Sequence, residues 1–250
     1  MFKKSFIFLF AIFLLFSFLL PACKDKLIST SLDLVESETV NETEIEKEQD
    51  YIDSIIFFGE STTYHLKSRG VLSGGTQTTQ VWGPKSGTLM LDLSTDNCRI
   101  IYPESGEELD ISSAMKQKKP RYMMLTFGLN GAAKFISRGS EYFKACYLDL
   151  INTLRTSSPS TEIIIQSCFP VAKSMNTDNH SVDVKTLNSY IDIINGWARE
   201  LAISEGIKFV NSAEVLKGAD GFLLEQYQVG DGYHLTKSAY LEILQYIKTH

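Results

Sequence analysis

Three short apolar runs, each closed by a turn signal, leave this chain few ways to fold. Residues 55–58 end at Gly59 and residues 122–127 end at Gly128. Residues 162–166 carry three consecutive Ile and stop at Ser167. Runs this short and this apolar fit strands buried on both faces. Between them lie helical stripes. Apolar residues recur at 143, 147, 150 and 154, and Val184, Leu187, Ile191, Ile194, Ala198 and Leu201 share one face of a helix over residues 184–204. Residues 111–118 predict a short helix stopped by Pro120, residues 207–210 a further strand after Gly206, and residues 237–248 a last helix. Residues 89–93 and 99–102 are short strand candidates. The Gly- and Thr-rich stretch over residues 70–87 predicts a functional loop, with Trp82 helping to shape an acceptor site. Strands alternating with helices require a parallel sheet covered on both faces. The expectation is a three-layer α/β/α sandwich, flavodoxin-like in outline, over residues 51–250.

What precedes that domain has a different character. Lys3 and Lys4 lead an almost wholly apolar stretch over residues 5–20, the pattern of a secretory signal over residues 1–22. It ends Leu20-Pro21-Ala22-Cys23, which resembles a bacterial lipobox. The resemblance implies cleavage before Cys23, lipid attachment to it, and a chain outside the cytoplasm that meets the membrane only through that anchor. Residues 24–53 hold ten Asp or Glu against three Lys and no aromatic before Tyr51. Such a stretch buries too little apolar area to offset its ordering entropy, so residues 23–50 read as an acidic, disordered tether. A net charge of -6 without a basic stripe argues against nucleic acid as a partner. Cys98, Cys146 and Cys168 remain in the domain, an odd number in apolar surroundings, and read as buried free thiols. No C-x-x-C or H-E-x-x-H gives metal binding a motif.

The chemistry-bearing residues follow the strands. Ser61 lies just past the first apolar run, in Gly59-Glu60-Ser61, where open α/β sheets hold their ligands. Its hydroxyl is a poor nucleophile until a base takes the proton and a carboxylate fixes that base. Asp231-Gly232-Tyr233-His234 offers both on one turn. Of the other His, His250 is terminal, His180 sits in a polar loop, and His65 is only four residues past Ser61. Asn130, in Gly128-Leu129-Asn130-Gly131, follows a strand directly, and its side-chain N–H suits an oxyanion.

Gly-Glu-Ser, Gly-Leu-Asn-Gly and Asp-Gly-Tyr-His, in that order, together resemble the SGNH hydrolases, or GDSL-type esterases and lipases, over about residues 52–250. The resemblance implies Ser61 as nucleophile, His234 as general base, Asp231 as its orienting carboxylate and Asn130 as an oxyanion donor beside the Ser61 backbone N–H. It also implies a Gly N–H in the oxyanion hole, for which Gly106 is favoured by its distance ahead of Asn130, with Gly74, Gly75 and Gly87 as rivals. The chain departs from the family pattern twice: Glu60 stands where Asp is usual, and Gly131 where the third block ends in Asp. The reaction implied is ester hydrolysis through an acyl-enzyme, with no metal or organic cofactor. A tethered enzyme at the cell surface suggests acetyl or other short acyl esters of a polysaccharide as substrate. Acetyl transfer by the same residues, and glycan binding without catalysis, are the alternatives.

Overall fold

The computed structural model describes residues 46–92, 98–178 and 181–250. The signal segment, Cys23, His180 and the tether as far as residue 45 lie outside them. Composition carries the tether to residue 50, but residues 46–53 form a helix, α1. Its end is fixed by burial of Ile52 and by the Tyr51 ring, which packs edge-on against Tyr122 at 5.1 Å. Those contacts supply the apolar area that the acidic residues before them lack.

The chain then runs β1 (Ile55–Gly59), α2 (Ser61–Ser68), β2 (Val81–Trp82), β3 (Arg99–Ile101), β4 (Glu108–Asp110) and α3 (Ile111–Lys118). It continues with β5 (Tyr122–Thr126), α4 (Ala132–Arg138), α5 (Ser140–Ser157), β6 (Glu162–Gln166), α6 (Val184–Glu205), β7 (Lys208–Val210) and α7 (Lys237–Thr249). Five strands form one sheet in the order β2-β1-β5-β6-β7, all parallel. Ignoring the separate β3–β4 pair, this is the flavodoxin-like order.

Side-chain alternation along the strands builds the two outer layers. Ile56 and Phe58 of β1, Met123 and Leu125 of β5, and Ile163 and Ile165 of β6 face one way, into a core with Phe143, Tyr147 and Leu150 of α5 and Leu187, Ile191 and Ile194 of α6. Ile55, Phe57, Met124 and Ile164 face the other way, against Ile52, Leu66 of α2, and Tyr240, Ile243 and Ile247 of α7. Helix starts are fixed locally, with Asp110, Asp183 and Thr236 accepting the N–H of Ser113, Thr186 and Ala239.

Three expectations change. Residues 89–92 are not a strand, although Leu91 is fully buried, because β2 already occupies the sheet edge beside β1. Residues 99–101 are a strand, but they pair antiparallel with β4 outside the main sheet. The 70–87 stretch is not one loop over a site. It contains a 3₁₀ turn (Gly75–Gln77) and β2, and Trp82 is only 2 % exposed, packed edge-on against Tyr102 at 5.8 Å. A side chain so enclosed shapes no acceptor site.

Candidate active site

The site arises where the sheet changes direction. From β1 the chain crosses to β2 on one side and later to β5 on the other, so the loops leaving the carboxyl ends of β1 and β5 diverge and open a cleft. Gly59 makes the turn possible. A Cβ there would lie 2.4 Å from the Thr126 carbonyl oxygen and from Thr63 Oγ1, so only Gly lets β5 and α2 close on this strand end. Ser61 opens α2, and the N–H groups of Ser61 and Thr62 belong to its first turn, where an α-helix offers no internal acceptor.

Ser61, His234 and Asp231 form one hydrogen-bonded line. Ser61 Oγ lies 3.0 Å from His234 Nε2, and His234 Nδ1 lies 2.7 Å from Asp231 Oδ2. The carboxylate accepts the Nδ1 proton, which leaves Nε2 as the acceptor for the Ser61 hydroxyl. Asp231 is itself held by its own turn, since its Oδ1 accepts the N–H of Tyr233 at 3.1 Å and of His234 at 2.9 Å. Burial would raise this carboxyl, but those N–H groups and the imidazole outweigh it and hold Asp231 below the ordinary range. The arrangement is that of a nucleophile, a base and the carboxylate that orients the base.

The residue before the nucleophile ties the site together. Glu60, 2 % exposed, is the N-cap residue of α2, but its side chain makes no capping bond there. Its carboxylate reaches across to accept the N–H of Gly128 at 2.8 Å and of Asn130 at 3.0 Å. Burial pushes Glu60 up to about 8 against the pull of the Gly128, Asn130 and Leu129 N–H groups. The loop carrying Asn130 is thereby pinned to the residue next to Ser61.

Asn130 comes to the site with its amide already engaged. Nδ2 donates to Thr88 Oγ1 at 3.0 Å and to the Leu89 carbonyl at 2.9 Å. Since Nδ2 is a donor only, Thr88 Oγ1 accepts here, and the Thr88 hydroxyl proton remains to be given elsewhere. The N–H of Gly106 is already spent. The residue lies in the β3–β4 turn, where that N–H donates to the Tyr102 carbonyl at 2.8 Å. Gly74 and Gly75 border the 3₁₀ turn. Gly87 is the one of the four that packs on α2, since a Cβ there would meet the Tyr64 ring at 3.4 Å. Its own N–H donates to the Pro84 carbonyl.

Sequence reasoning missed His65. Four residues past Ser61 on a helix is the same face, not a distant one. Its ring lies 4.4 Å from that of His234, with Tyr233 at 4.1 Å on the same imidazole. Burial, then His234 and Arg69, lower His65 to about 4, against the pull of Asp231. Cys98, Cys146 and Cys168 are free thiols, but only Cys146 and Cys168 are buried as expected; Cys98 is half-buried, beside β3 outside the main sheet, and desolvation raises all three. Among the described residues no three His, Cys, Asp or Glu gather as a metal site would require.

Several cavities of comparable size open on the described residues, of which two lie at the ends of the sheet. One of about 430 Å³ lies at the opposite end of the sheet, between Tyr51, Tyr122, Arg155 and Lys208. The other, about 390 Å³, opens beside Phe58, Phe127, Thr88, Leu89 and Met90, over the carboxyl ends of β1 and β5.

No family model matches the chain, and no curated protein does. Solved structures do. A Streptococcus pneumonia protein named for platelet activating factor is 17 % identical, aligns over 88 % of this chain and 98 % of its own, and has a TM-score of 0.52. The M. Smegmatis aryl esterase is 15 % identical over 78 % of this chain and 96 % of its own, with a TM-score of 0.49. A GDSL-like lipase from Bacteroides thetaiotaomicron is 16 % identical over 78 % and 85 %, with a TM-score of 0.47. At these identities the likeness is one of fold, and it is the first of the three that carries it.

Proposed function

We propose that this chain is a divergent member of the SGNH, or GDSL-type, hydrolase superfamily and acts as a serine esterase. The observation that carries this reading is the Ser61–His234–Asp231 line at 3.0 and 2.7 Å. In the first half-reaction the Ser61 hydroxyl gives its proton to His234 Nε2 while Oγ bonds to the ester carbonyl carbon. Asp231 stabilises the imidazolium that forms. The Ser61 backbone N–H, and the Asn130 amide once substrate displaces Thr88, hold the oxyanion. The alcohol departs with the proton from Nε2, leaving an acyl group on Ser61. Water, deprotonated by His234, then releases the acid and restores the serine.

The leader and the Leu20-Pro21-Ala22-Cys23 signal support an enzyme outside the cytoplasm, held to the membrane by lipid on Cys23. An acidic tether would let the domain reach surface polymers, which favours O-acylated polysaccharide as the ester. The decisive assay measures acid release from p-nitrophenyl esters and from O-acetylated wall polysaccharide by the full chain and by Ser61→Ala. Turnover is expected to fall by about 10⁴-fold or more in the variant. Equal turnover in both would remove Ser61 from the mechanism. Cys23→Ser is expected to move the chain from the membrane fraction to the soluble one, and a variant that stays membrane-bound would refute the lipid anchor.

A further inference from the structure

We infer that Arg69 is a positioning residue of this reaction: it holds the stretch that carries His234 against the helix that carries Ser61. The inference rests on the serine esterase reading and adds to it a group that touches neither the substrate nor the reacting atoms. Ser61 and His234 stand 173 residues apart in the chain, so their 3.0 Å separation is set by whatever joins two distant segments. Most bonds of residues 228–236 do not do that. The Val229 N–H donates to the His234 carbonyl at 3.0 Å and the Thr236 N–H to the Tyr227 carbonyl at 2.8 Å, which shapes the loop from within. The Gly232 carbonyl accepts the Ala172 N–H at 2.7 Å, which ties the loop to the segment after β6. Among the described residues, the bond that reaches this stretch from α2, besides that of Ser61 itself, is Arg69 Nε donating to the Leu235 carbonyl at 3.2 Å.

That carbonyl is well placed to act on the base. Leu235 follows His234 directly and its side chain is fully buried, so a bond to its carbonyl restrains the backbone that aims the imidazole. A partly buried carbonyl left without its donor costs stability and is free to turn towards water. Arg69 closes α2 as its C-cap, two turns on from Ser61 and one from His65. The His65 ring lies 4.4 Å from that of His234. α2 thus meets the base at its Nε2, beside its ring, and through the carbonyl of the residue after it. The same seam is closed on α7, where the Tyr240 hydroxyl donates to the Thr62 carbonyl at 2.5 Å. Burial raises that hydroxyl against the pull of the Arg69 charge, which places the guanidinium close to α7 as well.

The test compares the full chain with Arg69→Met, Arg69→Lys and Ser61→Ala on p-nitrophenyl acetate. Reactive sites are counted by fluorophosphonate titration run to completion, so an unfolded fraction drops out of kcat, and thermal unfolding checks each fold. Arg69→Met keeps the apolar stem and loses the donor. Its kcat per site is expected to fall about 10- to 100-fold, the scale of a displacement of about 1 Å at reacting atoms, with KM within about twofold of wild type. The rate at which the fluorophosphonate modifies Ser61 is expected to fall in parallel, because that step also needs His234 in place. Arg69→Lys, which restores a donor, is expected to lie between Arg69→Met and wild type. Wild-type kcat per site in Arg69→Met, a loss confined to KM, or an equal loss in Arg69→Lys overturns the positioning role and leaves the esterase standing. Absence of Ser61-dependent release by the wild type overturns both.

Discussion

Replacing His65 by Phe keeps a flat ring against His234, where the two centroids are 4.4 Å apart, and removes a buried Nδ1 that has no partner among the described residues. The folded protein holds His65 at about 4, through burial and then the neighbouring His234 and Arg69. The unfolded chain returns it to 6.5. Between those values the unfolded chain takes a proton that the folded chain refuses. Stability is therefore lost as pH falls from 6.5 towards 4 and regained above 6.5. At pH 5 the linkage amounts to roughly 2 kcal/mol, reduced by solvent at a partly exposed ring to about 1 kcal/mol. For a domain of this size 1 kcal/mol corresponds to about 2–4 °C in Tm. Thermal unfolding followed by circular dichroism at pH 7.5 and pH 5 reads it directly. The wild type is expected to lose about 2–4 °C more than His65→Phe between the two conditions. Equal losses in both proteins would mean that the half-buried imidazole is not kept neutral, and the electrostatic account of this helix face would be wrong.

Asp231→Asn keeps the shape of the turn but removes the charge that stabilises the imidazolium, so kcat is expected to fall by about 10⁴-fold with little change in fold; a loss below tenfold in ester turnover would argue against the orienting role. Glu60→Ala leaves the buried N–H of Gly128 and the half-buried N–H of Asn130 without their acceptor. The cost is about 2–4 kcal/mol, read as a lower urea midpoint at unchanged slope, together with reduced kcat from a loosened Asn130 loop. A midpoint equal to wild type would show that the bridge carries no weight.

The strands and helices that could be read in advance are those with a strong local signal. β1, β5 and β6 are central, buried on both faces and apolar without interruption, and α5 and α6 show their stripes plainly. β2 and β4 could not be read that way, because runs of two and three residues carry no periodicity. Trp82 was misplaced for that reason: the features that make 70–87 look like a loop conceal a strand that completes the sheet edge. The Asp231–His234 spacing was legible because both groups share one turn. The packing of Gly87 on α2 was not, since it depends on β2 lying beside β1, a decision of topology rather than of neighbouring residues. His65 was discounted by counting along the chain where a helix has to be counted around.

The bridge from Glu60 to the loop after β5 also says where that loop takes its position from. Its anchor is the side chain at the end of β1, and the Met90 sulfur lies over Gly131. Gly131 stands at φ +83, a backbone conformation that favours glycine. Glu60 on one side and Met90 on the other thus bracket residues 128–131, so the loop follows the end of the neighbouring strand rather than its own side chains.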